Sequence, residues 1–324
     1  MKFKFNILIY LPDIFKKRIT FFIFSFLDIG ANLTDSMYQG IYGNSKKHEP
    51  DLDQVINRAF QAGLDKIIIT AGTHHETVQA LELCTNHENL YTTCGYHPTR
   101  CNEFNDSNEN EILHEMKELI EKNSKKIVAI GEFGLDYERT QFCDIDQQKR
   151  YFEFQLKHLI VLNKPLFLHN RAASKDLYDI LYKYRDQITA GGVIHSFDGT
   201  LDEALQFIQL GYFIGINGCS MKTQTNLDVI KQLPLENILV ETDAPWCGIK
   251  QSHASNSHVK TQLTTEMVKK EKWIAGKMIK DRNEPCTIIQ ICEVIHSIRG
   301  KQESFDELCE NIYLNTKRLF FSAQ

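Results

Sequence analysis

The sequence predicts an α/β chain folded as one (β/α)8 barrel, and three observations carry the prediction. Short apolar runs rich in β-branched and aromatic residues recur eight times along 324 residues. Each is followed by a segment whose apolar residues return at helical spacing. No Pro-, Gly- or Ser-rich linker breaks the alternation, so residues 24–324 read as a single domain. An open doubly wound sheet is the competing arrangement, but no GxGxxG follows the first run to make a dinucleotide site.

In order, the runs are "FFIFSFLDI", "KIIIT", "LYTTC", "KIVAI", "KPLFLH", "GGVIH", "YFIGI" and "NILVE". Between the first two lies a helix over 51–62, where Leu52, Val55, Ile56, Ala59 and Phe60 share one face and Gly63 ends it through a left-handed cap. Leu201, Ala204, Leu205 and Ile208 repeat the pattern ahead of Gly211. The segment from Asp243 to Pro285 is largely polar and shows no clear strand, so it reads as an insertion shaping access to one rim of the barrel. Residues 1–23 stand apart as an accessory segment. Its apolar stretches "FNILIYL" and "ITFFIFSFL" are separated by Pro12, Asp13 and the basic run Lys16, Lys17, Arg18. Neither reaches the roughly 18 residues of a membrane span, and no small-residue cleavage site follows, so no membrane partner is expected.

The formal net charge of −5 and pI of about 6.2 exclude a global basic field, so any phosphate-binding surface must be local. Nine scattered cysteines with no CxxC pair argue for free thiols in a reducing compartment, cytoplasmic or nuclear, and against both a disulfide frame and a Cys-zinc site.

A barrel of this kind builds its site from residues at the carboxyl ends of its strands. The first run leads to Asp28 and Asn32, the third to His97, the fourth to Glu132, and the fifth and sixth to His169 and His195. The seventh leads to Asn217, and the eighth to Glu241 and Asp243. Singly, each is an ordinary cap or loop residue. Together, Glu132, His169, His195 and Asp243 form a mixed nitrogen and oxygen set that suits Zn²⁺, Mn²⁺ or, with water completing the shell, Mg²⁺. The remaining histidines, in predicted helices and caps or, like His48, in polar loops, are expected to be solvated.

The segments "AIGEFGLDY", "PLFLHNRA", "GVIHSFDGT", "GYFIGINGCS", "LVETDAPW" and "RNEPC" resemble, in order and spacing, the TatD family of metal-dependent deoxyribonucleases, and most closely its eukaryotic branch. The resemblance runs from about Phe24 to Phe321 and includes "DIGANLTD" and "GYHPTRCNEF". It implies an amidohydrolase-like (β/α)8 hydrolase that cuts DNA, single strands or 3′ ends, from the 3′ end with a divalent ion. On that resemblance Glu132, His169, His195 and Asp243 are the metal ligands, with Glu132 bridging where two metals bind. His97 lies near the substrate phosphate, while Asp136, Arg171 and Glu241 serve the ligands or the phosphate from behind. Asn32 is grouped with the substrate-binding residues and Asp28 with the partners behind the ligands. Many relatives carry D-x-H-x-H at the first strand, where this chain has Asp28, Gly30 and Asn32. Losing two imidazoles makes the site harder and richer in oxygen, favouring Mg²⁺ or Mn²⁺.

The chemistry also follows from the residues alone. Hydrolysing an ionised phosphodiester needs its oxygens neutralised and water activated, two services of a divalent ion. Asp243 is placed to act as general base and Arg171 to grip phosphate bidentately. Trp246 is a candidate to stack a base, as are Tyr96 and Phe133. Basic contacts are sought in residues 44–48, at Arg100 and between 269 and 282. Two other classes remain open on the sequence: an amide or ester hydrolase, including one acting on a D-aminoacyl-tRNA ester, and a non-catalytic binding barrel.

Overall fold

Eight parallel strands pair edge to edge in chain order: β1 (Phe26–Ala31), β2 (Leu64–Ile69), β3 (Leu90–Cys94), β4 (Ile127–Asp136), β5 (Leu166–Arg171), β6 (Gly192–Ile194), β7 (Tyr212–Ile216) and β8 (Ile238–Val240). The structure, a computed structural model, describes residues 25–262, 266–300 and 302–322. The expected accessory segment 1–23 lies outside the described residues. The order of pairing is that of a (β/α)8 barrel, as the eight apolar runs predict. The seam between β1 and the chain leaving β8 is made by Asp243 N–H donating to the Gly30 carbonyl at 2.8 Å and Asn32 N–H to the Ala244 carbonyl at 2.7 Å.

Among the described residues nine α-helices flank the strands: α1 (Leu52–Gln61), α2 (His74–Asn86), α3 (Glu109–Lys122), α4 (Ile145–Leu159), α5 (Ser174–Tyr184), α6 (Leu201–Gln209), α7 (Gln224–Gln232), α8 (Ile288–Ile298) and α9 (Phe305–Phe320). The predicted face of α1 is buried through Leu52, Val55, Ile56 and Ala59, and Gly63 takes φ +97° just past its end. In α6, Thr200 and Glu203 form a reciprocal capping box that fixes where the chain leaves β6 and turns into the helix.

Side chains alternate across each strand, so two cores result. The larger fills the layer between strands and helices. The smaller fills the barrel, with Leu27, Ile29, Ile68, Val128, Phe167, Val193, Phe213 and Leu239 pointing in, and Phe320 and Phe321 from the end of α9 packed against them. Period two then dictates the next inward positions: Phe167 is followed by His169, Val193 by His195, and Leu239 by Glu241. The polar cluster therefore sits on top of the apolar plug.

Three expectations need correcting. The fourth run does not stop before Glu132 but continues to Asp136. The insertion after Asp243 holds a short parallel pair, Met267–Val268 with Met278–Ile279, too brief to give an alternation signal. His48 is buried and stacked on Trp273 at 5.5 Å, because the insertion folds over its loop.

Candidate metal centre and its cavity

Glu132 reaches the interior because β4 bulges there. Gly131 pairs with Phe167 and Phe133 with the next residue, Leu168, so Glu132 is the unpaired extra residue. Its N–H donates instead to the Ala71 carbonyl beyond β2. Gly131 makes the bulge possible, since it sits at φ +136° and a Cβ there would lie 2.2 Å from the Phe167 carbonyl oxygen. The glycine brackets of "GEFG" are thus a local signature of the re-aimed carboxylate.

Around Glu132 the geometry is tight. Its Oε1 lies 2.7 Å from His169 Nδ1 and 2.7 Å from His195 Nε2, and the two ring nitrogens are 3.2 Å apart. Each imidazole has a carboxylate behind it. His169 Nε2 is 3.2 Å from Asp136 Oδ2, and His195 Nδ1 is 3.5 Å from Glu241 Oε2. Outer carboxylates of this kind fix ring orientation and raise the basicity of the inner nitrogen. Asp136 is itself held by the Glu138 N–H, and its N–H donates to Gln148 in α4.

His97 stands differently. It joins Glu132 and His169 in a cluster whose ligand-type atoms lie within 4.8 Å of one another. However, its Nδ1 accepts from the Thr99 N–H at 3.1 Å, so the neutral ring carries its proton on Nε2, 3.5 Å from Glu132 Oε1. A protonated nitrogen donates and does not ligate.

Asp243 closes the other side. Oδ1 accepts from Asn32 Nδ2 at 2.7 Å, and Oδ2 from the Cys247 thiol at 3.2 Å. Beneath it, Asp28 takes hydrogen bonds from the Thr242 N–H, the Thr242 hydroxyl and the Gly30 N–H. Asp28 therefore secures the seam and does not touch the imidazoles. Gly30 shows what became of the space a side chain would fill there: a Cβ would lie 2.7 Å from Glu241 Oε2 and 3.1 Å from the Phe167 ring.

Charge follows this layout. Burial would raise the Glu132 carboxyl, but His195, His97 and the hydrogen bonds from His169 and His195 outweigh it and hold the group well below the carboxylate range. Burial likewise disfavours charge on His169 and His195, yet the carboxylates around them win and push both upward. His97 goes the other way: burial, only partly opposed by Glu132, lowers it to about 3. Asp243 is pushed up to about 6 by burial, with Glu241 and Glu132 adding to the rise and His195 opposing it. The site thus draws in positive charge, which a divalent cation would supply with neutral histidines. Fit to such a cation is supported by the donor set, one carboxylate oxygen and two imidazole nitrogens within 3.2 Å of one another.

These groups floor a cavity of about 530 Å³ whose walls carry Arg100, Arg139, Arg171 and Lys222. Trp246, about half exposed, lines it too. Arg171 donates through Nε to Glu138 at 2.5 Å, leaving its terminal nitrogens as the ones to offer a ligand. Arg139, Lys222, Cys219 and Cys247 are cavity residues that sequence reasoning missed, because each lies in a loop a few residues past a strand tip. Phe133 and Tyr96 cannot stack a base. Phe133 is fully buried against Phe152, and Tyr96 packs edge-on against Phe104. Arg282, sought as a DNA contact, is buried on Asp51 and Glu284 instead.

Fold and donor set together define a (β/α)8 barrel of the amidohydrolase type with a carboxylate–imidazole centre suited to a divalent metal. The family described as "TatD related DNase" matches residues 27–321, and the chain belongs to that family. The chain is 42% identical over 298 residues to "Deoxyribonuclease Tat-D" of Schizosaccharomyces pombe, covering 91% of this chain and 95% of the relative. It is 34% identical over 296 residues to "3′-5′ ssDNA/RNA exonuclease TatD" of Shigella flexneri, covering 90% and 98%. Among solved structures, a TatD family hydrolase from Entamoeba histolytica superposes with a TM-score of 0.84 at 39% identity, covering 92% of this chain and 98% of that one.

Proposed function

We propose that this protein is a divalent-metal-dependent deoxyribonuclease that removes nucleotides from the 3′ end of single-stranded DNA. The observation that carries the reading is the triangle of Glu132 Oε1, His169 Nδ1 and His195 Nε2, each imidazole backed by a carboxylate, beneath a wall of three arginines and a lysine. The names of the yeast and Shigella flexneri relatives support DNA as substrate and 3′ to 5′ polarity. Nine scattered cysteines with no CxxC pair fit a reducing compartment, cytoplasm or nucleus.

Glu132, His169, His195 and Asp243 would hold the metal, Mg²⁺ by preference because two of the donors are carboxylates and no thiolate joins them. A bound divalent ion supplies Lewis acidity at the phosphate and lowers the pKa of water. The chain's own residues do the rest. Arg100, Arg139, Arg171 and Lys222 receive the phosphates, with arginine forks suited to paired oxygens. His97, neutral and protonated on Nε2, donates a hydrogen bond to a phosphate oxygen without giving up its proton. Asp243 accepts the proton of the attacking water. Asn32 occupies Oδ1, so Oδ2 is the accepting atom, and the Cys247 thiol yields its place there. The water oxygen bonds to phosphorus as the bond from phosphorus to the sugar oxygen breaks, and the departing oxygen takes its proton from solvent at the open mouth of the cavity. Trp246 offers an exposed face at the rim for the terminal base.

The test uses 3′- and 5′-labelled single-stranded oligonucleotides with metal-stripped protein, then with Mg²⁺ or Mn²⁺. Stepwise loss of the 3′ label that requires metal, and a fall on the order of 10²–10³-fold in Glu132→Ala, are expected. A wild type that binds metal yet leaves both oligonucleotides intact would overturn the reading.

A further inference from the structure

Seven of the nine cysteines are buried, and the two that are partly exposed, Cys219 and Cys247, both line the cavity. They come from different loops, after β7 and after β8, and the two thiols are near enough to influence each other directly. The loops touch through backbone as well: a Cβ on Gly218 would lie 2.1 Å from the Cys247 carbonyl oxygen. Lys222 lines the same cavity three residues on and lowers the Cys219 thiol electrostatically, the kind of cationic neighbour that marks a reactive thiol. Cys247 donates to Asp243 Oδ2 at 3.2 Å from within one short turn, closed by Trp246 N–H on the Asp243 carbonyl at 2.9 Å.

We propose that Cys219 and Cys247 are a redox modification site, joined as a reversible disulfide by a hydroperoxide, and that the bridge shuts the metal centre by dragging the turn that carries Asp243 and Trp246. The switch rests on the role given to Asp243 above; the bridge itself does not. Cys219 attacks the peroxide, so that an S–O bond forms, the O–O bond breaks and, with hydrogen peroxide, water leaves. The Cys247 sulfur then displaces the hydroxyl, forming S–S, breaking S–O and releasing a second water. Two thiol hydrogens and two electrons have passed to the peroxide. A thiol reductant reverses the change. Cys247 can no longer donate to Asp243, and a displacement of about 1 Å at a reacting group costs on the order of 10²-fold in rate.

The full-length, metal-loaded protein is treated with hydrogen peroxide, and three properties are read before and after: disulfide-linked peptides by non-reducing digestion and mass spectrometry, Mn²⁺ affinity by calorimetry, and oligonucleotide hydrolysis. A Cys219–Cys247 peptide, Mn²⁺ affinity at least tenfold weaker, and hydrolysis lost then restored by dithiothreitol are expected. Cys219→Ser should keep its own pre-treatment affinity and rate. Absence of the bridged peptide overturns the site. A bridge that leaves Mn²⁺ affinity unchanged, or an equal loss in Cys219→Ser, overturns the switch. If the reduced protein is inert on DNA, the nuclease reading fails while the peptide and affinity measurements still decide the inference.

Discussion

Among the described residues, two of the buried clusters of charge are built to opposite ends. In one, Arg282 grips Asp51 through both terminal nitrogens at 2.7 Å and reaches Glu284 at 3.1 Å, while Arg58 makes two bonds to Glu284 at 2.8 and 3.0 Å. Two cations meet two carboxylates in fork geometry, tying the insertion to the start of α1. In the other, four carboxylates, Glu132, Asp136, Glu241 and Asp243, crowd around three imidazoles, His97, His169 and His195. The first cluster is balanced in charge, two guanidinium groups to two carboxylates, although Arg282 Nε has no hydrogen-bond partner among the described residues. The second is short of positive charge, and that shortage separates a site from a strut. Asp28 shows a third solution: with no cation beside it, burial raises its carboxyl to about 8, against the pull of its hydrogen bonds from Thr242 and Gly30.

The comparison can be broken in four ways. The largest effect belongs to the closed cluster. Arg282→Met strands Asp51 and Glu284 in the interior and should cost about 3–5 kcal/mol in urea unfolding, with or without metal. A loss under about 1 kcal/mol would mean the cluster is not the strut described.

Next comes the open cluster's response to metal. Mg²⁺ or Mn²⁺ at 100 times its dissociation constant should stabilise the wild type by about 2.7 kcal/mol, and Glu132→Gln should lose that gain. Equal stabilisation of both proteins would place the ion elsewhere.

The outer carboxylates give a graded version. Asp136→Asn leaves His169 without its charged partner and should weaken metal binding about 10–100-fold by calorimetry, without new cleavage products. An affinity equal to wild type would remove Asp136 from the site.

The smallest effect per step is the pH slope from Asp28. Its folded pKa of about 8 lies above the ordinary aspartate value of 3.8, so the folded state holds the proton more tightly than the unfolded chain. The stability this contributes is fully present below about 4 and is lost as pH rises towards 8, with a slope of up to about 1.4 kcal/mol per pH unit. Asp28→Asn should flatten that part of the stability profile of the metal-free protein, and an unchanged slope would assign it to another group.

Much of the fold was legible because period two and period 3.6 alternate cleanly, and the barrel then dictates where strand tips converge. His169 and His195 could be placed for that reason, each two residues beyond an inward apolar side chain. Glu132 was legible as a residue but not as a bulge, since the strand continues past it with unchanged apolar character. The cavity cations were harder to see. Lys222 and Arg139 look like any solvated loop charge in sequence, and only the barrel's curvature turns them inward. Arg282 was misread for the complementary reason: its partner Asp51 lies 231 residues away, and sequence displays a charge without its neutraliser.

The seam has a consequence for how the molecule comes into being. Glu132, His169 and His195 are all in place on the first six strands, but Asp243 is oriented by bonds that also join the beginning of the barrel to its end. A growing chain on the ribosome, folding from its amino end, would carry the imidazoles before it possessed the aspartate or a finished ring. Ring completion and the arrival of the last of the proposed ligands are then one event, and a fragment released short of residue 244 would lack both.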